Sequence, residues 1–306
     1  NTRKTNFVEL SYKSNYEVEN DNFFYDIKLL DGSDFENKID LYVGGSPCQS
    51  FSPIGGKAGL EDTRGTLFYD YVRVLKEVKP EVFIYENVYG LYRHDKGRTW
   101  KTIQEVFENL GYYFKYEVLD SRDYGIPQGR RRIFVVGFKK RNMADSFNFP
   151  EKRELSFTVQ DFLMENRSYG TFVSHEGKIK LLDSKGEKID EKYYLSDKLL
   201  KYCLSPGTKN FMHKDAKIDL PIARALLSTM GNHHRSSVNN YVTTNGKVRM
   251  LTIREVHRLM GFPDDYKIVV SKSQAYKQAG NSIVVDVLIG IIKQINLVMG
   301  WKNEQN

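Results

Sequence analysis

One thiol in this chain occupies a position where a nucleophile could act. Residues 39–43 are β-branched or aromatic at most positions and are followed by two glycines, which predicts a short buried strand. Cys48 lies in the loop after this strand, and Pro47 stiffens the turn that presents it. Groups at the carboxyl end of a strand in an open α/β sheet line the ligand crevice. Cys48 is therefore a candidate nucleophile, although most lone cysteines are packing residues in a protein interior.

Other reactive groups follow at the ends of later predicted strands. Glu86 comes directly after predicted strand 82–85, and Arg130 and Arg132 lead into predicted strand 133–138. A thiolate can add to C6 of a cytosine ring if an acid at N3 and a guanidinium at O2 stabilise the developing charge. The addition makes C5 nucleophilic toward a methyl donor. Each group alone is better explained as structural, but together they fit this one chemistry.

The elements around these groups alternate between helix and strand. Apolar residues at helical spacing predict helices over residues 66–78 and 98–110. Buried strands are predicted over residues 82–85, 113–119 and 133–138. This alternation predicts an α/β fold with a mostly parallel, doubly wound sheet.

Two stretches do not follow the alternation. No complete helix-and-strand unit is recognisable before Asp26, and residues 151–249 form a small irregular region rich in charges and turn signals. Regular order returns with predicted helices over residues 252–260 and 275–299. The predicted domains are residues 1–150 plus 250–306, and residues 151–249.

Composition bounds the class of protein. Hydrophobic residues make up 40% and charged residues 28% of the 306 residues, as in ordinary globular proteins. No uninterrupted run of about 18 apolar residues is present, so no membrane-spanning segment is predicted. The formal net charge of +7 permits nucleic-acid binding without proving it. With Cys48 and Cys203 as the two cysteines, neither a disulfide framework nor a metal site is predicted, and a reducing compartment fits.

Five ordered blocks of the sequence resemble motifs of the DNA cytosine-5 methyltransferase family in their bacterial arrangement. The blocks are Ser46-Pro47-Cys48-Gln49, Glu86-Asn87-Val88, Gln128-Gly129-Arg130-Arg131-Arg132, Arg249-Met250-Leu251-Thr252-Ile253-Arg254-Glu255 with Gly261-Phe262-Pro263-Asp264, and Gln278-Ala279-Gly280-Asn281-Ser282-Ile283-Val284-Val285. The resemblance covers nearly all of the chain outside residues 151–225. Five blocks in the right order are a specific signal, whereas a lone Pro-Cys would mean little.

The resemblance implies catalytic roles for four residues. Cys48 is the nucleophile, Glu86 holds and protonates N3, and Arg132 contacts the ring oxygen. Arg130 supports the loop and the nucleophile. The target cytosine must be flipped out of the duplex to reach Cys48.

The resemblance also implies binding residues for the cofactor, S-adenosylmethionine, and for DNA. The cofactor residues are Asp26, Pro47, Leu67, Asn281 and Ser282. The loop that closes on DNA contributes Gln49, Ser52 and Arg64. Residues 151–249 correspond to a target recognition domain, in which the types that pair with base edges are Ser228, Asn232, His233, His234, Arg235 and Asn239.

The resulting expectation is a sequence-specific DNA cytosine-5 methyltransferase of a bacterial restriction-modification system. It would have a Rossmann-like methyltransferase domain, act as a monomer on double-stranded DNA and reside in the cytoplasm. The alternatives are a non-catalytic DNA-binding subunit or remnant, and an RNA cytosine-5 methyltransferase.

The family begins with a strand and a glycine-rich turn that hold the cofactor, and neither is present in this sequence. The expectation is that this first βα unit has been lost from the chain or is supplied by a separate chain.

Overall fold

The computed structural model describes most of the chain, in eight segments. These are residues 5–19, 22–46, 67–165, 168–171, 180–183, 188–205, 217–232 and 234–301. Six predicted site residues lie outside the described residues. They are Pro47, Cys48, Gln49, Ser52, Arg64 and His233.

The described residues form helices and strands in the following chain order. The helices are α1 (Phe7–Asn15), α2 (Leu67–Val78), α3 (Tyr89–Arg93), α4 (Arg98–Asn109), α5 (Arg141–Ser146), α6 (Asp197–Leu204), α7 (Ile253–Arg258), α8 (Lys272–Asn281) and α9 (Val285–Met299). The strands are β1 (Leu41–Gly45), β2 (Val82–Val88), β3 (Tyr113–Asp120), β4 (Gln128–Gly129), β5 (Arg131–Phe138), β6 (Ser168–Thr171), β7 (Lys180–Asp183), β8 (Ala223–Arg224), β9 (Tyr241–Thr244) and β10 (Lys247–Met250).

The chain divides into two compact units, each built from several segments. The first unit comprises Asn1–Val18, Asp120–Arg130 and Glu151–Gly290. The second unit comprises Glu19–Leu119, Arg131–Pro150 and Ile291–Asn306. These bounds differ from the domains predicted above, and the assignment of catalytic and recognition domains to residues stays a prediction.

A four-stranded sheet organises the second unit, in the order β1-β2-β5-β3. β1 pairs with β2 in parallel, and β2 pairs with β5 antiparallel. The α/β prediction is confirmed, but the described sheet is mixed rather than mostly parallel. The physical reason is that β3 and β5 are joined through a short connection without a crossover helix, whereas α2 connects β1 to its parallel neighbour.

Helices α2 and α4 cover one face of this sheet with an aromatic-rich core. Both helices place their apolar residues on one side, and these residues pack against alternate residues of β2 and β5. The buried cluster consists of Phe68, Tyr71, Leu75, Phe83, Tyr85, Leu91, Trp100, Ile103, Phe107, Tyr112, Ile133 and Val135. This core fixes the strand ends that carry Glu86 and Arg132.

Helix α1 lies in a region where the sequence pattern gave no complete unit. Asn6 caps it by accepting hydrogen bonds from the backbone N–H groups of Val8 and Glu9. In the first unit, the Ser11 hydroxyl donates to Gln278 Oε1 at 2.9 Å. The helix has little apolar periodicity of its own, and contacts with α8 that are distant in sequence stabilise it.

The predicted last helix is two helices, so that prediction was wrong. α8 ends at Asn281, Ser282 has extended φ and ψ angles, and α9 begins at Val285. Gly280 packs directly on the backbone of Ser228, since a Cβ on Gly280 would lie 2.2 Å from Ser228 N. This close approach, together with hydrogen bonds to the 280–282 carbonyls described below, ends α8.

Within the described residues, the segment Lys272–Met299 is long and apolar enough to cross a membrane by length and composition. A helix in the core of a globular protein passes the same test. Ala275, Tyr276, Ile291 and Ile295 of this segment are buried in the protein.

Asp286 in the first turn of α9 is a buried carboxyl group. It packs against Gly261, whose φ of +83° and lack of a Cβ make room for Asp286 Oδ2. Among the described residues, Oδ2 has no hydrogen-bond partner, and the side chain is 8% exposed. Burial raises the pKa of Asp286 to about 7.

We expect Asp286 to make stability decrease as the pH rises. The folded protein keeps this carboxyl neutral up to about pH 7, whereas the unfolded chain ionises it near its ordinary pKa of 3.8. The neutral carboxyl therefore contributes its full stabilisation below about pH 3.8, and this stabilisation is lost as the pH rises through 7. The change Asp286→Asn should raise the free energy of unfolding relative to the wild type by on the order of 2 kcal/mol more at pH 8 than at pH 5. Urea unfolding at both pH values measures this, and an equal effect at both would contradict it.

Candidate active site

The carboxyl ends of β1 and β2 lie side by side in the second unit. Gly45 at the end of β1 is paired with Glu86 on β2. A Cβ on Gly45 would lie 2.5 Å from the Glu86 carbonyl oxygen, so this position requires glycine. Cys48 follows three residues later in the sequence. Gly45 therefore allows the end of β1 to lie close to β2, the strand that carries Glu86.

A buried hydrogen-bond network fixes the chain just before the Cys48 loop. Asn87 Nδ2 donates to the Ser46 carbonyl oxygen at 2.8 Å and to the Tyr85 hydroxyl at 2.8 Å. The Tyr85 hydroxyl lies 2.8 Å from Ser46 Oγ. All three side chains are buried, which strengthens these hydrogen bonds and penalises their loss. No role was predicted for Tyr85 or Asn87. The presence of Asn87 in the Glu-Asn-Val block is the sequence signal that could have identified this network.

Glu86 and Arg132, for which neighbouring catalytic roles are predicted, form a largely buried ion pair. Arg132 Nε lies 3.0 Å from Glu86 Oε1. Arg132 is paired with Val88 across the antiparallel ladder, so Arg132, Val88 and Glu86 share one face of the sheet. Burial lowers the pKa of the Arg132 guanidinium, and the charge of Glu86 acts in the opposite direction. The pair can present an acid and a cation to one planar ring.

Arg130 lies in the first unit and acts on backbone atoms. Its Nη1 donates to the Leu226 carbonyl oxygen at 2.9 Å. Its Nη2 donates to the carbonyl oxygens of Gly280 at 2.9 Å and Ser282 at 2.8 Å. The side chain is 4% exposed, so Arg130 is a positioning residue for the segment that contains the predicted cofactor residues Asn281 and Ser282.

Gln128 contacts the same region. It begins the third motif block, but no role was predicted for it. Its Nε2 donates to the Leu259 carbonyl oxygen at 2.7 Å, and its Oε1 accepts from Leu226 N–H at 2.9 Å. The side chain is fully buried. Gln128 and Arg130 together hold segments that lie more than 90 residues away in the sequence.

Asn281 and Ser282 line a cavity of about 630 Å³ within the first unit. Aromatic rings from Tyr12, Phe262 and Tyr266 and polar groups from Ser11, Gln278 and neighbouring residues complete its lining. A cavity of this volume, with aromatic walls and a few amide and hydroxyl groups, fits an adenosine-containing ligand such as S-adenosylmethionine.

The other two described cofactor candidates lie in the second unit. Asp26 is exposed, and its carboxylate accepts a hydrogen bond from Lys28 N–H at 3.0 Å. Leu67 is the first residue of α2 and is half-buried. Their predicted roles stay predictions.

The predicted base-reading residues differ in exposure. Asn232 is exposed, Ser228 and His234 are half-buried, and Asn239 is buried. The Arg235 guanidinium lies 3.9 Å from the centre of the Tyr202 ring, and its Nη1 donates to the Tyr202 carbonyl oxygen at 2.8 Å. The base-reading role of this group stays a prediction.

Comparison with known proteins gives a consistent relationship over nearly the whole chain. Residues 6–297 match the family model described as C-5 cytosine-specific DNA methylase. The type II methyltransferase M.SsoII of Shigella sonnei is 34% identical over 298 residues, covering 94% of this chain and 71% of the relative. M.HpaII of Haemophilus parainfluenzae is 35% identical over 309 residues, covering 94% of this chain and 80% of the relative.

Solved structures show the same fold. The S. pombe Dnmt2 methyltransferase superposes with a TM-score of 0.62 at 18% identity, covering 90% of this chain and 84% of that chain. A putatively assigned DNA modification methyltransferase encoded within an E. coli prophage superposes with a TM-score of 0.56 at 19% identity, covering 90% and 86%.

Proposed function

Because this chain belongs to the C-5 cytosine-specific DNA methylase family, we propose that it methylates a flipped cytosine through a covalent bond to Cys48. The chain is a DNA cytosine-5 methyltransferase by its family and relatives, and its cofactor is S-adenosylmethionine. The observation that carries the proposal is the Glu86–Arg132 ion pair, which lies beside the end of the strand that precedes Cys48.

In the proposed reaction, the arriving cytosine takes the place of the ion pair as the partner of both side chains. N3 of the ring lies at Glu86, and O2 lies at Arg132. The Cys48 thiolate forms a bond from Sγ to C6, and the electron pair of the C5–C6 double bond moves into the ring as Glu86 gives its proton to N3. S-adenosylmethionine supplies an electrophilic methyl group for C5. As C5 takes the methyl group, the N3 proton returns to Glu86. Water then accepts the C5 proton, the electron pair of the C5–H bond re-forms the C5–C6 double bond, and the Sγ–C6 bond breaks to release the Cys48 thiolate.

The remaining site residues support this arrangement. We propose that Asn281 and Ser282, held through Arg130, contact the cofactor in the cavity of the first unit. Asp26, Pro47 and Leu67 are proposed as further cofactor contacts. We propose that the enzyme works as a monomer on double-stranded DNA in the bacterial cytoplasm, as the modification half of a restriction system.

Glu86→Gln should lower the rate of methyl transfer about a hundredfold, because glutamine keeps a hydrogen bond to N3 but has no proton to transfer. Transfer of labelled methyl groups from S-adenosylmethionine to duplex DNA and to RNA of the same sequence measures both the rate and the substrate class. Glu81→Gln is the matched control. Glu81 precedes the same strand at its opposite end and pairs with Lys139 at 3.3 Å.

Two results would change this proposal. A Glu86→Gln rate within a factor of two of the wild type would show that Glu86 has a structural role. Transfer to RNA with none to duplex DNA would replace the DNA substrate by RNA.

A further inference from the structure

The second unit carries a group of tyrosines and arginines that has no role in the proposed reaction. We call it the aromatic–arginine patch, and it consists of Tyr89, Tyr92, Arg93, Tyr116 and Arg131. Tyr89 and Arg93 are on α3, which follows β2 directly, and Arg131 begins β5. The Arg131 guanidinium lies 4.5 Å from the centre of the Tyr89 ring, and that of Arg93 lies 5.2 Å from it. One ring thus holds two cations.

The other rings of the patch form a supported surface. Tyr89 and Tyr92 are nearly parallel, with centroids 6.4 Å apart. Trp100 is buried beneath and packs edge-to-face on Tyr116 at 4.8 Å. Tyr92 and Tyr116 are 38% and 40% exposed. The buried indole therefore supports the exposed rings of Tyr92 and Tyr116 from below.

The charge of the patch is positive, and the described residues supply no ion pair to either of its arginines. In the described part of the chain, no carboxylate lies within ion-pair distance of Arg93 or Arg131. The neighbouring turn adds Lys96 and Arg98, against which Asp95 is the one acidic residue, paired with Arg98. A cluster of fixed, unneutralised guanidinium groups is suited to anions, and to phosphate above all.

The patch lies at the carboxyl end of β2, the end that also carries Glu86. Val88 is paired with Arg132, so Arg131 and Tyr89 come next in the ladder at the carboxyl end of β2. Because side chains alternate along a strand, Arg131 projects to the face opposite Arg132. The patch and the proposed base-binding pair therefore lie at the same end of β2 but on opposite faces of the sheet.

We propose that the aromatic–arginine patch binds the sugar–phosphate backbone of the duplex DNA substrate where the duplex passes the carboxyl end of β2. This inference rests on the proposed function, since it takes duplex DNA as the substrate. Arg131 and Arg93 contact phosphate oxygens, and Tyr89 holds both guanidinium groups in place. Contacts of this kind position the duplex and carry no sequence information.

The test measures the affinity of the full chain for a methylatable duplex and for a random duplex at several salt concentrations. Arg131→Ala should weaken binding to both duplexes roughly fivefold and lower the slope of log affinity against log salt by about 1. Arg93→Ala, on an exposed helix position, should do the same independently, and Arg131→Lys should retain the salt slope.

Arg141→Ala is the matched control and should leave affinity unchanged. Arg141 is also an exposed arginine beside a tyrosine, 6.0 Å from the centre of the Tyr113 ring, but it follows the carboxyl end of β5, at the opposite end of that strand from Arg131. It differs from the patch arginines in lying 3.8 Å from a carboxylate oxygen of Asp145. An equal loss with Arg141→Ala would show a general charge effect and overturn the inference.

Other outcomes are equally decisive. Unchanged affinity and salt slope in both Arg131→Ala and Arg93→Ala would overturn the inference. A loss of affinity for the methylatable duplex alone would also overturn it, because it would indicate that the patch reads bases. A wild-type chain that methylates and binds DNA keeps the proposed function intact in these cases. A wild-type chain that neither binds nor methylates duplex DNA would overturn the proposed function itself.

Discussion

Cys48→Ser should abolish methyl transfer while leaving DNA binding intact. A serine hydroxyl is scarcely ionised near neutral pH, whereas a cysteine thiol is partly ionised there and its thiolate is a strong nucleophile. The attack on C6 should therefore slow by roughly three orders of magnitude or more. The rate of labelled methyl transfer to duplex DNA and the affinity for the same duplex are the two quantities to measure. Loss of transfer with retained affinity separates a missing nucleophile from a misfolded protein.

Cys203→Ser is the matched control, because the sequence contains two cysteines. Cys203 is buried in the first unit, and its thiol lies 3.5 Å from the Tyr241 hydroxyl. Burial raises the pKa of this thiol, which is the environment of a packing residue rather than of a nucleophile. Transfer by Cys203→Ser should stay within a few-fold of the wild type. A Cys48→Ser protein with normal turnover would rule out the covalent mechanism.

The second large effect concerns a buried ion network around Arg249. Arg249 donates to both carboxylate oxygens of Glu255 at 2.8 Å and to Glu165 Oε2 at 2.6 Å. Its Nε donates to Thr244 Oγ1 at 2.7 Å. Arg249 and Glu255 are fully buried. Burial alone would lower the pKa of Arg249, but the two carboxylates outweigh it and keep the guanidinium charged.

Glu255 also caps α7, which ties this network to the helix that follows. Its Oε2 accepts from Thr252 N–H at 2.7 Å, and Glu255 N–H donates to Thr252 Oγ1 at 3.2 Å. This reciprocal pair is a capping box. One carboxylate therefore serves both the ion pair and the start of a helix.

Arg249→Met should destabilise the protein by about 3–5 kcal/mol, because it leaves the Glu255 carboxylate buried without its cation. Calorimetric unfolding of the full chain should show a lower Tm for the transition that includes the first unit. The double variant Arg249→Met with Glu255→Leu should recover part of the loss, since no buried charge is then left unpaired. Arg98→Ala removes an exposed pair with Asp95 and should leave the Tm unchanged. A loss below about 1 kcal/mol in Arg249→Met would contradict this account of the network.

Several elements could be predicted closely from local sequence. Helix α2 was predicted over residues 66–78 and spans Leu67–Val78, and helix α4 was predicted over 98–110 and spans Arg98–Asn109. These helices have strong apolar periodicity, and Lys79-Pro80 and Gly111 mark their ends. The positions of Glu86 and Arg132 followed from the same local signals, because both lie at the ends of buried strands.

Other features depend on contacts between distant residues and could not be predicted this way. The direction of β5 in the sheet is not encoded in its apolar run, which would suit either a parallel or an antiparallel strand. Arg130 reads as one of a solvated arginine run, but in the structure its donors bind carbonyl oxygens that follow it by about 100 and 150 residues. The break between α8 and α9 likewise depends on Gly280 packing against Ser228.

The most direct measurement of the central claim is covalent trapping on DNA that carries 5-fluorocytosine at the target position. Fluorine at C5 cannot leave as a proton does, so the Sγ–C6 bond should persist after methyl transfer. In the presence of S-adenosylmethionine, the wild-type chain should give a protein–DNA adduct that survives denaturing electrophoresis, and peptide mass spectrometry should place the bond on Cys48. Cys48→Ser should give no adduct and Cys203→Ser should give a normal one. Two results would contradict the proposed mechanism. One is a chain that methylates ordinary cytosine but forms no adduct with the 5-fluorocytosine DNA, and the other is an adduct on a residue other than Cys48.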